Sequence, residues 1–201
     1  DQIWNALKNK NVYGTSGPRI LLWFDLMNSP DGKAPMGSKI TMSQNPRFIV
    51  RAAGSFKQNT GCSHNSIDSL SPERLEYLCA GECYNPSNER EVIEQIEIIK
   101  ITPQVYAGEA VSPLIQDPWK TIPCQGTGEC IVEFQDENFS RDSVYYVRAI
   151  QEPTPAINGS PLFQRDTFEL CKGSFRTDLK DDCLSMAKER AWSSPIYVNK
   201  P

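Results

Sequence analysis

The sequence predicts a mainly β protein, built as β-sandwich-like antiparallel sheets with long loops and a few short helices. Three observations predict it. Residues 92–102 carry five isoleucines, at 93, 96, 98, 99 and 101, and β-branched side chains suit a pleated, buried surface. Six strand-like runs are separated by long connections rich in Pro, Gly and polar residues. Helical periods do not alternate with these runs, which argues against a parallel α/β sheet.

Taken in order, residues 1–10 read as a short amphipathic helix with Ile3, Trp4 and Leu7 on one face, ended by Asn9 to Asn11. Residues 12–18 read as a turn. The first strand runs from Arg19 to Met27, the turn signals Ser-Pro-Asp-Gly and Pro-Met-Gly follow it, and the second strand is 48–53. Residues 54–70 and 79–91 are polar and aperiodic and read as loops. Between them, Ser71-Pro72-Glu73-Arg74 opens a short helix, with Ser as N-cap and Pro in the first turn. The strand 92–102 breaks its alternation at Ile98-Ile99, which predicts a bulge or burial on both faces. Residues 103–129 are a Pro- and Gly-rich connection. Strands follow at 130–135 and 143–151, then an excursion over 152–180, one or two helical turns within 181–190, and a closing strand at 195–199.

Bulk properties exclude some functions. The net charge is −4, so no general attraction to nucleic acid or an anionic membrane exists. The longest apolar run, Ile20-Leu21-Leu22-Trp23-Phe24, stops at Asp25, far short of the ~20 residues a membrane span needs. Hydrophobic residues make up 39% and charged residues 23%, a balance that supports a packed core.

Candidate chemistry is sparse. The single histidine, His64, lies two residues after Cys62 and is the only imidazole for a Ser–His–acid, Cys–His or zinc arrangement. Cys62, His64, Cys79 and Cys83 have spacings compatible with a zinc site, but disulfides and a solvated histidine are the simpler expectation. The pairs Asp136/Glu137, Asp181/Asp182 and Glu89/Glu91 lie in polar segments and read as solvated acids rather than a catalytic dyad. Gly14-Thr15-Ser16-Gly17-Pro18-Arg19 lacks phosphate-loop spacing and reads as a tight turn with Arg19 exposed. Neither catalytic nor metal residues are assigned. Of the aromatics Trp23, Phe24, Tyr145 and Tyr146, alternation puts half in the core and leaves the rest for a surface.

Seven cysteines, at 62, 79, 83, 124, 130, 171 and 183, imply disulfides and an oxidising compartment, periplasmic or extracellular. Cys124–Cys130, closing a Gly-containing loop, is the first expected pair and Cys171–Cys183 the second. One pair is expected among Cys62, Cys79 and Cys83, and the sequence leaves open which.

Several stretches carry a resemblance. They are Asn11 through Ile20 (NVYGTSGPRI), Glu82 through Ser87 (ECYNPS), Ile96 through Gln104 (IEIIKITPQ), Tyr145 through Gly159 (YYVRAIQEPTPAING) and Glu189 through Ile196 (ERAWSSPI). In this order they resemble the C-terminal region of the bacterial domain of unknown function 3604 family. That family is similar to polymerase-and-histidinol-phosphatase metallohydrolases, whose metal ligands lie on an upstream distorted barrel. The resemblance implies that residues 1–18 are the tail of that barrel, a helix plus turn, and that 19–201 are a β-rich C-terminal module. The expected partner is then the upstream barrel domain of the same chain, with Thr15, Ser16 and Arg19 at the contact. No cofactor is expected in this segment, and a divalent metal belongs to the parent protein. The function expected is a non-catalytic accessory module of an exported, bacterial, metal-dependent hydrolase-like protein. The alternative is an independent envelope glycan- or protein-binding β-sandwich.

Overall fold

A computed structural model describes residues 1–79, 83–157 and 184–201. In chain order the elements are α1 (Gln2–Lys8), β1 (Tyr13–Thr15), β2 (Leu21–Ser29), β3 (Gly32–Pro35), β4 (Lys39–Thr41), β5 (Arg47–Ala53), β6 (Phe56–Thr60), α2 (His64–Ser69), α3 (Pro72–Cys79), β7 (Tyr84–Arg90), β8 (Ile93–Ile101), β9 (Ile115–Pro123), β10 (Glu129–Gln135), β11 (Ser143–Ile157), β12 (Leu184–Ser193) and β13 (Ile196–Asn199). The fold class is the one the sequence predicts: mainly β, with few and short helices.

The chain divides into two compact units. The first comprises Asp1–Ser55, Glu91–Glu152 and Glu189–Pro201; the second comprises Phe56–Arg90 and Pro153–Lys188. The first unit is a sandwich. One of its sheets is four-stranded and antiparallel, in the order β10-β5-β2-β3. The other is seven-stranded, in the order β1-β12-β11-β13-β4, with β8 on the free edge of β11 and β9 beyond it. All its pairings given residue by residue are antiparallel except β13 with β4, which is parallel.

Alternation decides which side chains meet between these sheets. Leu22, Phe24 and Leu26 of β2, Phe48, Val50 and Ala52 of β5, and Cys130 and Phe134 of β10 face Ile96 and Ile98 of β8 and Tyr145, Val147 and Ala149 of β11 in a shared core. Phe48 is the keystone: its ring lies 5.3 Å from Phe24, 5.0 Å from Phe134 and 4.8 Å from Tyr145 of the facing sheet. Each such fully buried side chain contributes about 1.5–3 kcal/mol through loss of apolar surface to water. At Ile98-Ile99 both expected features occur. Both residues are buried, and the pairing of β8 with β9 shifts register between Ile98 and Lys100. Gly54 is required where the chain leaves β5, since a Cβ there would meet the Glu91 carbonyl oxygen at 1.9 Å.

The second unit contains the antiparallel hairpin β6–β7 and the helices α2 and α3. No residue of this unit is buried among those described. The Arg90 guanidinium lies 4.1 Å from the Phe56 ring centre, and Lys57 pairs with Glu89 at 3.6 Å.

Four sequence expectations need correction. Residues 54–70 and 79–91 are not simply loop: they hold β6, α2 and β7, whose polar, exposed residues offer no hydrophobic period to read. Residues 115–123 form β9 within the stretch expected as a connection. Tyr13–Thr15, expected as turn, pair with Ala191 to Ser193 as an edge strand. Leu184–Ser193 is a strand, not helical turns, with Ala187, Glu189, Ala191 and Ser193 on its more covered face. Its helix-favouring Met, Ala, Lys and Glu are overridden by pairing to β1 and β11. Residues 158–183, with most of the expected excursion, lie outside the described residues.

Candidate functional site

The first candidate surface is α1. Its C-terminal end is rooted in the sandwich. Asn11 Nδ2 donates to the Met36 carbonyl at 2.7 Å, and Ser194 N donates to the Val12 carbonyl at 3.1 Å. Gly37, with φ +90°, lets the backbone of Asn9 and Lys10 approach so closely that a Cβ would sit 2.5 Å from either carbonyl oxygen. Lys10 reaches over the Tyr197 ring at 5.4 Å. The helix therefore has a fixed base. Its apolar face has no cover: Ile3, Trp4 and Leu7 are 80%, 68% and 56% exposed. Clustered exposed hydrophobes of this kind mark interaction surfaces more often than isolated ones do.

The junction residues lie nearby in sequence. Thr15 pairs with Ala191. The Ser16 hydroxyl accepts from Arg190 N at 2.9 Å and donates to the Glu189 carboxylate, tying the end of β1 to β12. Arg19 is exposed. Thr15 and Ser16 thus hold one sheet edge together, while Arg19 faces solvent two residues on from the bend at Gly17.

The acidic candidates do not converge. Asp136, expected as a solvated acid, is 1% exposed. It accepts from Lys100 Nζ and the Tyr145 hydroxyl, both at 2.5 Å, and from Asn138 N at 3.1 Å. Burial alone would raise its pKa, but the hydrogen bonds from Lys100 and Tyr145 and the Lys100 charge outweigh it and lower the pKa below the usual carboxylate value. Burial and the bond to Asp136 push the Tyr145 hydroxyl far above its ordinary value. Trp119 closes the cluster, with Lys100 Nζ 5.2 Å from its ring centre. All of the acceptors and donors are engaged with one another, and the arrangement fixes the core. It offers no carboxylate to a substrate. Glu89 pairs with Lys57, and Asp181 and Asp182 lie outside the described residues.

The aromatics sort by face. Phe24 and Tyr145 are buried, Tyr146 is half-buried, and Trp23 is 44% exposed on the outer face of the four-stranded sheet. The registers Trp23↔Arg51 and Arg51↔Ile131 put these three side chains in one row across β2, β5 and β10. Ile131 is 65% exposed, and the Arg51 guanidinium lies 5.9 Å from the Trp23 ring centre. The buried Asp25, two residues along β2 from Trp23, pairs with Lys33 at 2.9 Å and Arg51 at 3.6 Å.

The cysteines fall into two groups. Cys124 and Cys130 are bonded across a loop of the sandwich, with their Cα atoms 5.6 Å apart. Cys62, Cys79 and Cys83 converge in the second unit, with all three Sγ atoms within 4.8 Å of one another. Among the described residues they form the one group of at least three potential metal-ligating side chains, and the exposed His64 is not part of it. Cys171 and Cys183 lie outside the described residues. Sequence reasoning missed Lys100, because its partner Asp136 is remote in the chain and the pairing exists only once the sheets face each other. Among the described residues no helix is long and apolar enough to cross a membrane.

Comparison with known proteins adds one finding. Residues 120–200, covering β10, β11, β12 and β13 and the end of β9, match the family described as Protein of unknown function (DUF3604). Neither the curated proteins nor the solved structures gave a match.

Proposed function

With membership of the DUF3604 family supported over residues 120–200, we propose that this chain is a non-catalytic accessory module of a larger exported protein, which docks on a neighbouring domain through α1. The observation that carries the reading is the rooted helix with an uncovered apolar face, Ile3, Trp4 and Leu7. A helix held firmly at one end presents such a face without the entropic cost of ordering it on contact. The neighbour in this reading is the upstream metallohydrolase-like barrel, with residues 1–18 as its tail and 19–201 as the module. Thr15 and Ser16 brace the junction and Arg19 lies at the contact. The engaged state of Asp136 and the solitary, exposed His64 support the absence of hydrolytic chemistry in the module itself. The disulfide-bonded cysteines support export to the periplasm or beyond in a bacterial cell.

The test is an assay of the purified chain with p-nitrophenyl phosphate and added Mn2+ or Zn2+, together with metal analysis of the protein as isolated. The expected result is no turnover above buffer. Chelator-sensitive turnover by this chain alone would overturn the reading.

A second reading rests on the Trp23–Arg51–Ile131 row. An exposed indole beside the Arg51 guanidinium suits stacking and hydrogen bonding to an envelope glycan. A glycan array on wild type and Trp23→Ala discriminates the two. Binding that disappears in the variant favours a glycan-binding sandwich, and a blank array leaves docking through α1.

A further inference from the structure

We propose that Cys62, Cys79 and Cys83 form a thiol–disulfide exchange centre in which Cys83 is the shared partner, and the cysteine left out accepts a mixed disulfide from a low-molecular-weight disulfide. The argument starts from valence. A sulfur atom holds one disulfide, so three converging cysteines make one bond among themselves and leave one sulfur outside it. Backbone placement gives Cys83 two candidate partners. Its Cα lies 4.9 Å from that of Cys62 and 5.3 Å from that of Cys79, and both separations fall within the range that a disulfide spans. All three Sγ atoms lie within 4.8 Å of one another.

Local structure imposes this meeting from two directions. In the β6–β7 hairpin Thr60 pairs with Tyr84, Gly61 N donates to the Cys83 carbonyl at 2.8 Å, and Asn85 Nδ2 donates to the Gly61 carbonyl at 2.8 Å. These bonds fix Cys83 beside the Gly61-Cys62 peptide. Cys79 arrives separately, as the last residue of α3. All three side chains are half-buried, so a small molecule can reach the sulfur that is left out.

The exchange needs no oxidant. The Cys79 thiolate attacks Cys83 Sγ, a Cys79–Cys83 bond forms, the Cys62–Cys83 bond breaks, and Cys62 departs as a thiolate; the reverse step restores the first pairing. Against an external disulfide R–S–S–R, the free thiolate bonds to one sulfur, and the other leaves as RS− and takes a proton from water. The external disulfide is reduced by the same two electrons that oxidise the protein thiol to the mixed disulfide.

The experiment uses the full chain, purified without reductant, acid-quenched, alkylated with iodoacetamide and mapped as unreduced peptides by mass spectrometry, before and after incubation with oxidised glutathione. The expected map contains both Cys62–Cys83 and Cys79–Cys83 linked peptides. Alkylation falls on Cys79 and Cys62 but not on Cys83, and glutathione adducts appear on those same two residues. Cys62→Ser and Cys79→Ser each retain one bond to Cys83 and lose the adduct at this centre; the wild-type map decides the matter if either variant fails to fold. A single connectivity, a Cys62–Cys79 bond with Cys83 alkylated, or a bond from any of the three to Cys171 or Cys183 would overturn the proposal. So would a native mass carrying one zinc ion with all three thiols reduced.

Discussion

The two units of this chain solve the same problem by opposite means. The sandwich unit buries isoleucines, phenylalanines and leucines between two sheets, and its single bonded cysteine pair decorates an assembly that apolar burial already specifies. In the second unit no described residue is buried, α2 and α3 have no buried residues at all, and every residue of β6 is exposed. Among the described residues of this unit, three converging sulfurs stand where the sandwich has hydrophobic contacts. The contrast separates two jobs. The rigid part presents surfaces, α1 and the outer sheet face, and the sulfur-held part carries reactivity.

The largest expected effects break the core. Asp136→Ala leaves the Lys100 ammonium unpaired beneath Trp119 and destabilises the sandwich by about 3–5 kcal/mol. Phe48→Ala removes the ring that joins both sheets and costs a similar ~3–5 kcal/mol. Urea unfolding followed by tryptophan fluorescence measures both. Cys124→Ser comes next: it opens a short loop whose closure contributes about 2 kcal/mol in the chain-entropy picture, and the same urea titration should find a sandwich that still folds.

Acid probes the polar contacts. The Arg141 hydrogen bond, with help from the Val105 N–H, holds the Glu109 carboxyl at about 2, below its ordinary 4.5. With the folded pKa below the unfolded one, the unfolded chain takes up the proton first. The contribution to stability is therefore complete above pH 4.5 and is lost as pH falls through about 2. Asp136 acts in the same direction, since its pKa is also lowered on folding. Glu109→Gln is expected to shift the urea midpoint relative to wild type near neutral pH and to lose that difference in strong acid. The smallest expected effect is on the free face of α1. Trp4→Ala changes stability by less than about 0.5 kcal/mol, because the side chain is exposed. A large loss there would mean that the helix packs on its own chain rather than awaiting a partner.

What was legible in the sequence follows the same division. The strands of the sandwich carry their burial as β-branched runs or alternation, so β2, β5, β8, β10, β11 and β13 were readable at Leu22, Val50, Ile96, Phe134, Val147 and Val198. The hairpin β6–β7 was not, because Phe56-Lys57-Gln58-Asn59-Thr60 has no inside to alternate with. β12 misled because Met186 to Arg190 favour helix, and only pairing with distant strands makes them extended. The α1 face was visible as Ile3, Trp4 and Leu7, but its fixed base depends on Gly37 and Met36, which no local pattern connects to it. The convergence of three cysteines was suggested by their spacing, whereas the placement of Cys83 beside Cys62 required the Gly61–Cys83 hydrogen bond of the folded hairpin.

The division between core-held and sulfur-held structure is tested most directly by hydrogen–deuterium exchange with and without a reductant. Reduction should accelerate exchange across 56–60 and 84–90 while leaving 93–101 and 145–150 as protected as before. Equal acceleration in both sets, or none in the hairpin, would contradict the account.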